Sequence, residues 1–269
     1  MLRKRLVVLI IVFLAQMLVF TGTVNAIVLN EGNSAEFIKS DVSLPSWSNG
    51  DSWTYEGYYK QKFGYLALLS FKVVIEEMVF KVTDSSGDNY TLACDGLVRA
   101  GIGVGEGLLT LASGNITGDI IVDKEKLGID SLDLTFDGAG KIFLLTIMPF
   151  NIQEKATFTN PLTPFKFPFD VGQNWTSESS KMSFQTMLTL FGGTDGSSRS
   201  MNFPQSDIKC ESQGNIDVKA GTYSSYKLVI EDQVDLYYSS TVKNIVKAHM
   251  NFARDVIVMN IELKDTSFT

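Results

Sequence analysis

The chain has 269 residues, of which 45% are hydrophobic, and it carries a formal net charge of −7 at pH 7. This length is sufficient for one large or two small hydrophobic cores. An acidic chain does not bind nucleic acid through counterion release, and it does not bind anionic lipid headgroups by charge. We therefore expect no nucleic-acid partner.

The first 26 residues have the three parts of a secretory signal. Arg3, Lys4 and Arg5 form a basic start, an apolar run follows, and Ala26 ends a segment of small residues where a signal peptidase would cut. The apolar run is shorter than the roughly 20 residues that a transmembrane helix needs. We expect an exported protein without a transmembrane span in its mature chain, located outside the cell, at its surface or in the periplasm. An uncleaved signal anchor is the alternative.

The segment 27–46 is mixed and polar, and it predicts a lead-in of low order before the first strand. A Gly-x-x-Trp-Thr signature then occurs twice, at 50–54 and at 172–176, which is an offset of 122 residues. In each copy a glycine-containing loop precedes a strand with a tryptophan. We interpret Trp53 and Trp175 as buried anchors.

The signature therefore predicts two related modules, residues 47–165 and residues 166–269. Between the anchors, apolar and polar residues alternate with period two, as at 132–137 and 226–231, and turn residues recur about every ten positions. The run Gly138-Ala139-Gly140 predicts the end of one strand, and the glycine- and serine-rich run 192–198 predicts a loop. The pattern favours a mostly β protein with two tandem antiparallel curved-sheet or half-barrel modules.

The second half also carries a series of strand motifs. After Gly172-x-x-Trp175 come Val218-Lys219-Ala220-Gly221-Thr222-Tyr223, Tyr237-Tyr238-Ser239-Ser240 and Ile245-Val246-Lys247. From about residue 167 to 265 this order resembles the secreted β-rich proteins of bacteria and archaea of the TapB-like type, with Asn244 where those proteins have glycine. The resemblance implies a curved sheet similar to lipid-carrier half-barrels, and it carries over no catalytic residue.

The two cysteines, Cys94 and Cys210, permit one disulfide in an oxidising compartment. Each lies before an Ala-Gly pair of its own half, so a bridge between packed modules is geometrically possible. The alternative is two separate buried thiols that behave as small apolar residues.

Three sequons are present, and they begin at Asn89, Asn115 and Asn174. Export of the chain would make these asparagines candidate glycosylation sites. The alternative is an unmodified chain.

Recognisable catalytic and metal-binding patterns are missing from the sequence. His249 is the only histidine, so a zinc site with two histidines is excluded, and a Ser-His-Asp triad would have to use it. The turn 84–89 has carboxylates that could hold calcium, but it lacks the spacing of a twelve-residue calcium loop, and an ordinary hairpin turn explains it better. We predict no catalytic residue, cofactor or metal site, and no hydrolase or transferase activity. A pair of carboxylates distant in sequence stays open.

Two functions are compatible with these features. The first is a non-catalytic exported surface or envelope protein with a structural or interaction role, whose partner would be a protein. The alternative is an extracytoplasmic carrier that binds an apolar, lipid-like ligand in the concave face of a curved sheet. A packed core explains the apolar stretches as well as a ligand site does, so the sequence favours the first.

We expect N-terminal sequencing of exported protein to begin near Ile27, because the basic start, the short apolar run and Ala26 together form a cleavable signal. The mature chain would carry a net charge of −10, since residues 1–26 hold three basic residues and no acidic one. Recovery of an intact Met1 would instead indicate a signal anchor.

Overall fold

A computed structural model describes residues 42–63, 66–105, 107–142, 146–190, 192–252 and 256–268. These residues form one antiparallel sheet of fourteen strands, which confirms the mostly β prediction. The strands are β1 (Ser52–Phe63), β2 (Leu66–Asp84), β3 (Asn89–Val104), β4 (Gly107–Asp123), β5 (Gly128–Ile142), β6 (Thr146–Leu162), β7 (Asn174–Thr176), β8 (Ser180–Leu190), β9 (Gly193–Phe203), β10 (Asp207–Val218), β11 (Gly221–Ile230), β12 (Val234–Ser239), β13 (Asn244–Phe252) and β14 (Ile257–Ser267). Within these described ranges there is no helix long and apolar enough to cross a membrane.

The order of the strands in the sheet consists of two runs of six and one added hairpin. The sheet runs β7-β10-β11-β12-β13-β14-β1-β2-β3-β4-β5-β6-β8-β9. One run, β1 to β6, follows the chain, and the other is β7 followed by β10 to β14. The two runs meet where β14 pairs with β1. The hairpin β8–β9 lies in the predicted second module, but it extends the first run by pairing with β6.

Both runs begin with the same local structure, built from the repeated signature. The Gly50 amide donates to the carbonyl of Val82 at 2.9 Å, and the Gly172 amide donates to that of Cys210 at 2.8 Å. In each copy the accepting residue lies two positions after the register partner of the tryptophan. Both glycines have positive φ, 98° and 87°, which a residue with a side chain adopts at a cost.

Each copy of the signature also has the same side-chain hydrogen bond in its turn. The Ser48 amide donates to the carboxylate of Asp51 at 2.8 Å, and the Asp170 amide donates to the side-chain oxygen of Gln173 at 3.1 Å. The repeat seen in the sequence is therefore a repeated turn that starts a strand. The division into two modules stays a prediction, because the strands join into one continuous sheet.

Both tryptophans are buried, and each indole N–H donates to a backbone carbonyl. Trp53 is fully buried and donates to Val242 at 2.9 Å, whereas Trp175 is 8% exposed and donates to Pro164 at 3.0 Å. Val242 lies in the turn between β12 and β13, so Trp53 connects β1 to a turn of the other run. Trp175 sits in the three-residue strand β7 at the border of the sheet.

Two turn predictions were wrong. Residues 193–198 belong to β9, whose backbone pairs with β8 from Gly193 to Phe203. Most of its side chains are exposed on both faces, so this strand has no apolar alternation to reveal it. Gly138 and Gly140 lie inside β5, where Gly138 pairs with Gly114 and with Phe150. A Cβ on Gly138 would lie 2.8 Å from the carbonyl oxygen of Ser113, so glycine permits a close approach of strands here.

The described end of the lead-in segment is ordered, contrary to the prediction for residues 27–46. Val42 is 4% exposed and pairs with Phe169, with N···O distances of 2.9 and 3.3 Å in the two directions. This bridge joins the start of the first run to the segment that leads into β7. Residues 27–41 lie outside the described part of the chain.

We expect Trp53→Ala and Trp175→Ala each to lower the free energy of unfolding by about 3–5 kcal/mol, because each removes a buried aromatic side chain. Trp53→Phe keeps a ring but leaves the Val242 carbonyl without its indole donor, so it should cost about 1–3 kcal/mol. Urea unfolding followed by circular dichroism measures these values. A loss below 1 kcal/mol for either alanine variant would contradict the anchor role.

Candidate functional site

The sheet curves so that inward side chains of its two runs line a cavity of about 260 Å³. Its wall comes from β1 to β6 on one side and from β10 to β14 on the other. The apolar residues that line it include Ile75, Met78, Phe80, Leu92, Ile116, Ile120, Val122, Leu132, Leu134, Phe136, Ile152, Ile208, Ile230, Leu236, Ile245, Ala248 and Ile261. The cavity is therefore a hydrophobic chamber between the two runs of six strands.

The linker between β6 and β7 contributes to the wall and carries a cluster of aromatic rings. Thr163, Pro164 and Phe165 of the linker line the cavity, as does Leu162 at the end of β6. The rings of Phe165, Phe167 and Phe169 surround the ring of Tyr238, with centroid distances of 5.4, 5.7 and 5.8 Å. Such tilted ring pairs add to the stabilisation that burial provides. The linker is thereby fixed against β12 and holds its part of the wall in place.

A second aromatic group joins β1 to the start of β13. Trp47 and Trp53 have centroids 4.8 Å apart, and the Trp47 indole donates to the carbonyl of Lys243 at 2.9 Å. The Tyr55 hydroxyl donates to the carbonyl of Ile245 at 2.8 Å. Trp47 and Tyr55 also line the cavity. These two hydrogen bonds position the Trp47 and Tyr55 rings on the inner face of the sheet and satisfy the carbonyls of Lys243 and Ile245.

One carboxyl group is present among the described residues that line the cavity, and it belongs to Glu154. Glu154 lies on β6, where Leu134 of β5 and Thr186 of β8 are its register partners. Its side chain is 6% exposed, and its Oε1 has no hydrogen-bond partner. Burial raises the pKa of the Glu154 carboxyl to about 8, because the charged form loses its hydration. Glu154 is therefore mostly protonated at neutral pH.

The Tyr238 hydroxyl is a second polar group with an unused hydrogen-bonding capacity at the cavity. Tyr238 lines the chamber, is 1% exposed, and its hydroxyl has no hydrogen-bond partner. Burial raises the pKa of Tyr238 above its usual value, so the hydroxyl keeps its proton. Buried polar groups in proteins are normally paired, and each exception needs a physical explanation.

The two cysteines are separate buried thiols in the structure. Cys94 lines the cavity, and its Sγ lies 3.3 Å from the sulfur of Met78. Burial raises the pKa of both thiols to about 12, which keeps them protonated and poorly reactive. The structure therefore has the second alternative from the sequence, in which the two cysteines are separate buried thiols that behave as small apolar residues.

The other residues predicted as sites lie away from the cavity. Asn89, Asn115 and Asn174 are all exposed, as an attached glycan requires, and glycosylation stays a prediction. His249 donates from Nδ1 to the Asn260 side chain at 2.6 Å, and Asn260 in turn donates to the Tyr58 hydroxyl at 2.6 Å. This chain of hydrogen bonds crosses β13, β14 and β1, which gives His249 a structural environment.

The turn 84–89 is occupied by a lysine rather than arranged for calcium. The Lys124 ammonium donates to the carbonyl of Ser85 at 2.6 Å and also to that of Gly87. Asp84 accepts from the Ser86 amide at 2.9 Å, and these hydrogen bonds hold the pKa of its carboxyl below the usual value. The carbonyls that would coordinate a metal are thus used by a side-chain cation.

Sequence reasoning did not select Glu154, although the sequence contained a signal for it. Ile152, Glu154, Ala156 and Phe158 share one parity on β6, and the three apolar members are buried. An acidic residue at an inward position of an alternating strand is a departure from the pattern. Its importance depends on what faces it across the chamber, which the strand pattern does not contain.

No family model, curated protein or solved structure matches this chain. The resemblance of residues 167–265 to TapB-like proteins therefore stays a prediction.

We expect Glu154 to make stability depend on pH in a defined direction. Its pKa is about 8 in the folded protein and about 4.5 in the unfolded chain, so the folded state holds a proton that the unfolded state releases between these values. Folding is therefore favoured most at low pH and is weakened as pH rises toward 8. Relative to Glu154→Gln, which cannot titrate, the wild type should lose roughly 3 kcal/mol of unfolding free energy between pH 5 and pH 8.

Urea unfolding of both proteins at pH 5, 6, 7 and 8 measures this difference. Glu178→Gln is the matched control, because the side chain of Glu178 is 58% exposed. Parallel pH profiles for wild type and Glu154→Gln would show that burial does not shift the carboxyl.

Proposed function

We propose that the protein is an extracytoplasmic carrier that holds an apolar, lipid-like ligand in the cavity between the two runs of strands. The observation that carries this proposal is the 260 Å³ chamber with its largely apolar lining. A dry apolar cavity of about 150 Å³ is already large enough to bind benzene in another protein. A ligand larger than benzene therefore fits the volume and the chemistry of this chamber.

The energetic cost of such a cavity supports a binding role over a purely structural one. An apolar cavity destabilises a protein, because the side chains that line it lose packing contacts. Total stabilities are only about 5–15 kcal/mol. A structural or interaction role would be served equally well by a solid core, whereas a carrier needs the space that this sheet encloses.

The surroundings of the chamber favour binding without chemistry at this place. General acid–base hydrolysis of a glycoside uses two carboxyl groups, and Glu154 is the one carboxyl among the described lining residues. The Cys94 thiol at the wall is kept protonated by its raised pKa. Export of the chain, inferred from the first 26 residues, would place the carrier outside the cytoplasm.

We expect full-length protein purified from the exporting cells to release an apolar molecule on solvent extraction, detectable by mass spectrometry. Purified protein stripped of this molecule should raise the fluorescence of the uncharged apolar probe phenylnaphthylamine by binding it. Ala248→Phe fills the chamber from β13, because Ala248 lines it and is 2% exposed. This variant should reduce probe affinity at least about tenfold, because the added ring takes up space that the probe would otherwise fill.

Ser198→Phe on the exposed strand β9 is the control for adding a phenyl ring elsewhere. Its probe affinity should equal that of the wild type. If the wild type neither carries an extractable apolar molecule nor binds the probe, the carrier function is wrong. If Ala248→Phe binds as the wild type does, the probe occupies another place and the chamber is not the site.

A further inference from the structure

The Glu154 carboxyl interrupts the apolar lining of the chamber. Its Oε1 is buried and has no hydrogen-bond partner, and Glu154 is one of the residues that form the wall. A polar group that leaves water without gaining a partner is unfavourable, so a purely hydrocarbon ligand would leave this cost in place. A ligand with one suitably placed polar group would remove it.

We propose that Glu154 hydrogen-bonds a single uncharged polar group, a carbonyl or a hydroxyl, on an otherwise apolar ligand. This inference rests on the proposed carrier function and defines the class of ligand. The chamber then selects long-chain ketones, aldehydes or alcohols over plain hydrocarbons and over amines.

The side chains around Glu154 provide no charge that would favour its ionised form. On β5 the register partner is Leu134, on β8 it is Thr186, and along β6 the neighbours of the same parity are Ile152 and Ala156. The nearby charges of Lys155 and Asp133 pair with each other at 2.7 Å on the opposite face.

The other titratable residues at the wall do not supply a cation to the chamber either. They are Tyr55, Cys94, Tyr238 and Lys243. Burial raises the pKa of the two tyrosines and the thiol, so these groups are neutral. The Lys243 ammonium donates to the carbonyl of Ser46 at 3.1 Å and lies 5.6 Å from the ring centroid of Phe268.

A protonated carboxyl both donates and accepts a hydrogen bond, which suits a carbonyl or a hydroxyl. With its pKa near 8, Glu154 is in this form at neutral pH. An alkylammonium ligand would require ionised Glu154 and would place an ion pair in an apolar chamber. The loss of hydration of both ions offsets much of their attraction there, so amines are disfavoured.

Displacement of phenylnaphthylamine by decane, decanol, decanone and decylamine tests this inference at pH 7. In the wild type, decanol and decanone should bind roughly 2- to 10-fold more tightly than decane, which is the contribution of one net hydrogen bond. Decylamine should bind more weakly than decanol. Glu154→Leu should lose most of this advantage, because Tyr238 is then the remaining unpartnered polar side chain among the described lining residues. Glu154→Gln should keep the preference, since its amide still donates.

Two further measurements give the test its controls. Glu178→Leu, which removes an exposed carboxyl, should leave every affinity unchanged. Decanone can only accept a hydrogen bond, so its advantage over decane in the wild type should be present below pH 8 and lost above it, while Glu154→Gln should keep the advantage.

The outcomes separate the two proposals. If neither phenylnaphthylamine nor decane binds the wild type, the carrier function itself is wrong. If both bind but decanol and decanone have no advantage over decane, the chamber is a carrier site and the role of Glu154 is wrong. Tightest binding of decylamine, increasing with pH, would also overturn this inference, because it would show that ionised Glu154 recognises a cation.

Discussion

Hydrogen bonds from aromatic side chains in and just before β1 to the β12–β13 turn and the start of β13 curve the sheet where its two runs meet. Trp47, Trp53 and Tyr55 donate to the carbonyls of Lys243, Val242 and Ile245, at distances of 2.8 to 2.9 Å. These partners are separated by almost 200 residues in sequence, and β13 and β14 lie between β1 and β12 in the sheet. These contacts therefore bring the inner faces of β1 and β12 toward each other.

The chamber follows from this curvature. When the two runs of strands turn their inner faces toward each other, the side chains of β2 to β6 meet those of β10 to β14 around a common space. The linker with Phe165, Phe167 and Phe169 packs against Tyr238 and forms part of the wall. The result is a protein that leaves volume inside at a cost in stability, and two buried polar groups, Glu154 and Tyr238, face that volume without partners. The cost of leaving this cavity and the position of the two unpartnered groups both support ligand binding.

The repeated signature shows how local sequence can specify local structure. Gly50 and Gly172 need positive φ, and the residues around them close the same turn with corresponding backbone hydrogen bonds. This equivalence is readable because every interaction within the turn lies within a few residues. The two tryptophans begin strands of very different length, twelve residues in β1 and three in β7. Their surroundings come from distant parts of the chain.

The same distinction explains which strand predictions failed. The alternation at 132–137 is a half-buried strand, as the pattern indicated, because one face of β5 meets the core. The run 192–198 gave no such pattern, since the residues of β9 from Gly193 to Ser198 are exposed on both faces of the sheet. Gly138 and Gly140 indicated the end of a strand, yet the close approach of Gly114 and Gly138 needs small residues in the middle of paired strands.

The sequence by itself determined that the chain forms antiparallel strands, where the repeated turn lies and which side chains of most strands face inward. Period-two alternation and turn chemistry are local properties, so a single sequence contains them. Only the tertiary structure decided that the strands join into one curved sheet, that this sheet lines a cavity of 260 Å³, and that Glu154 faces this cavity. A cavity is the volume left between side chains from opposite halves of the chain, and no local sequence pattern specifies that volume.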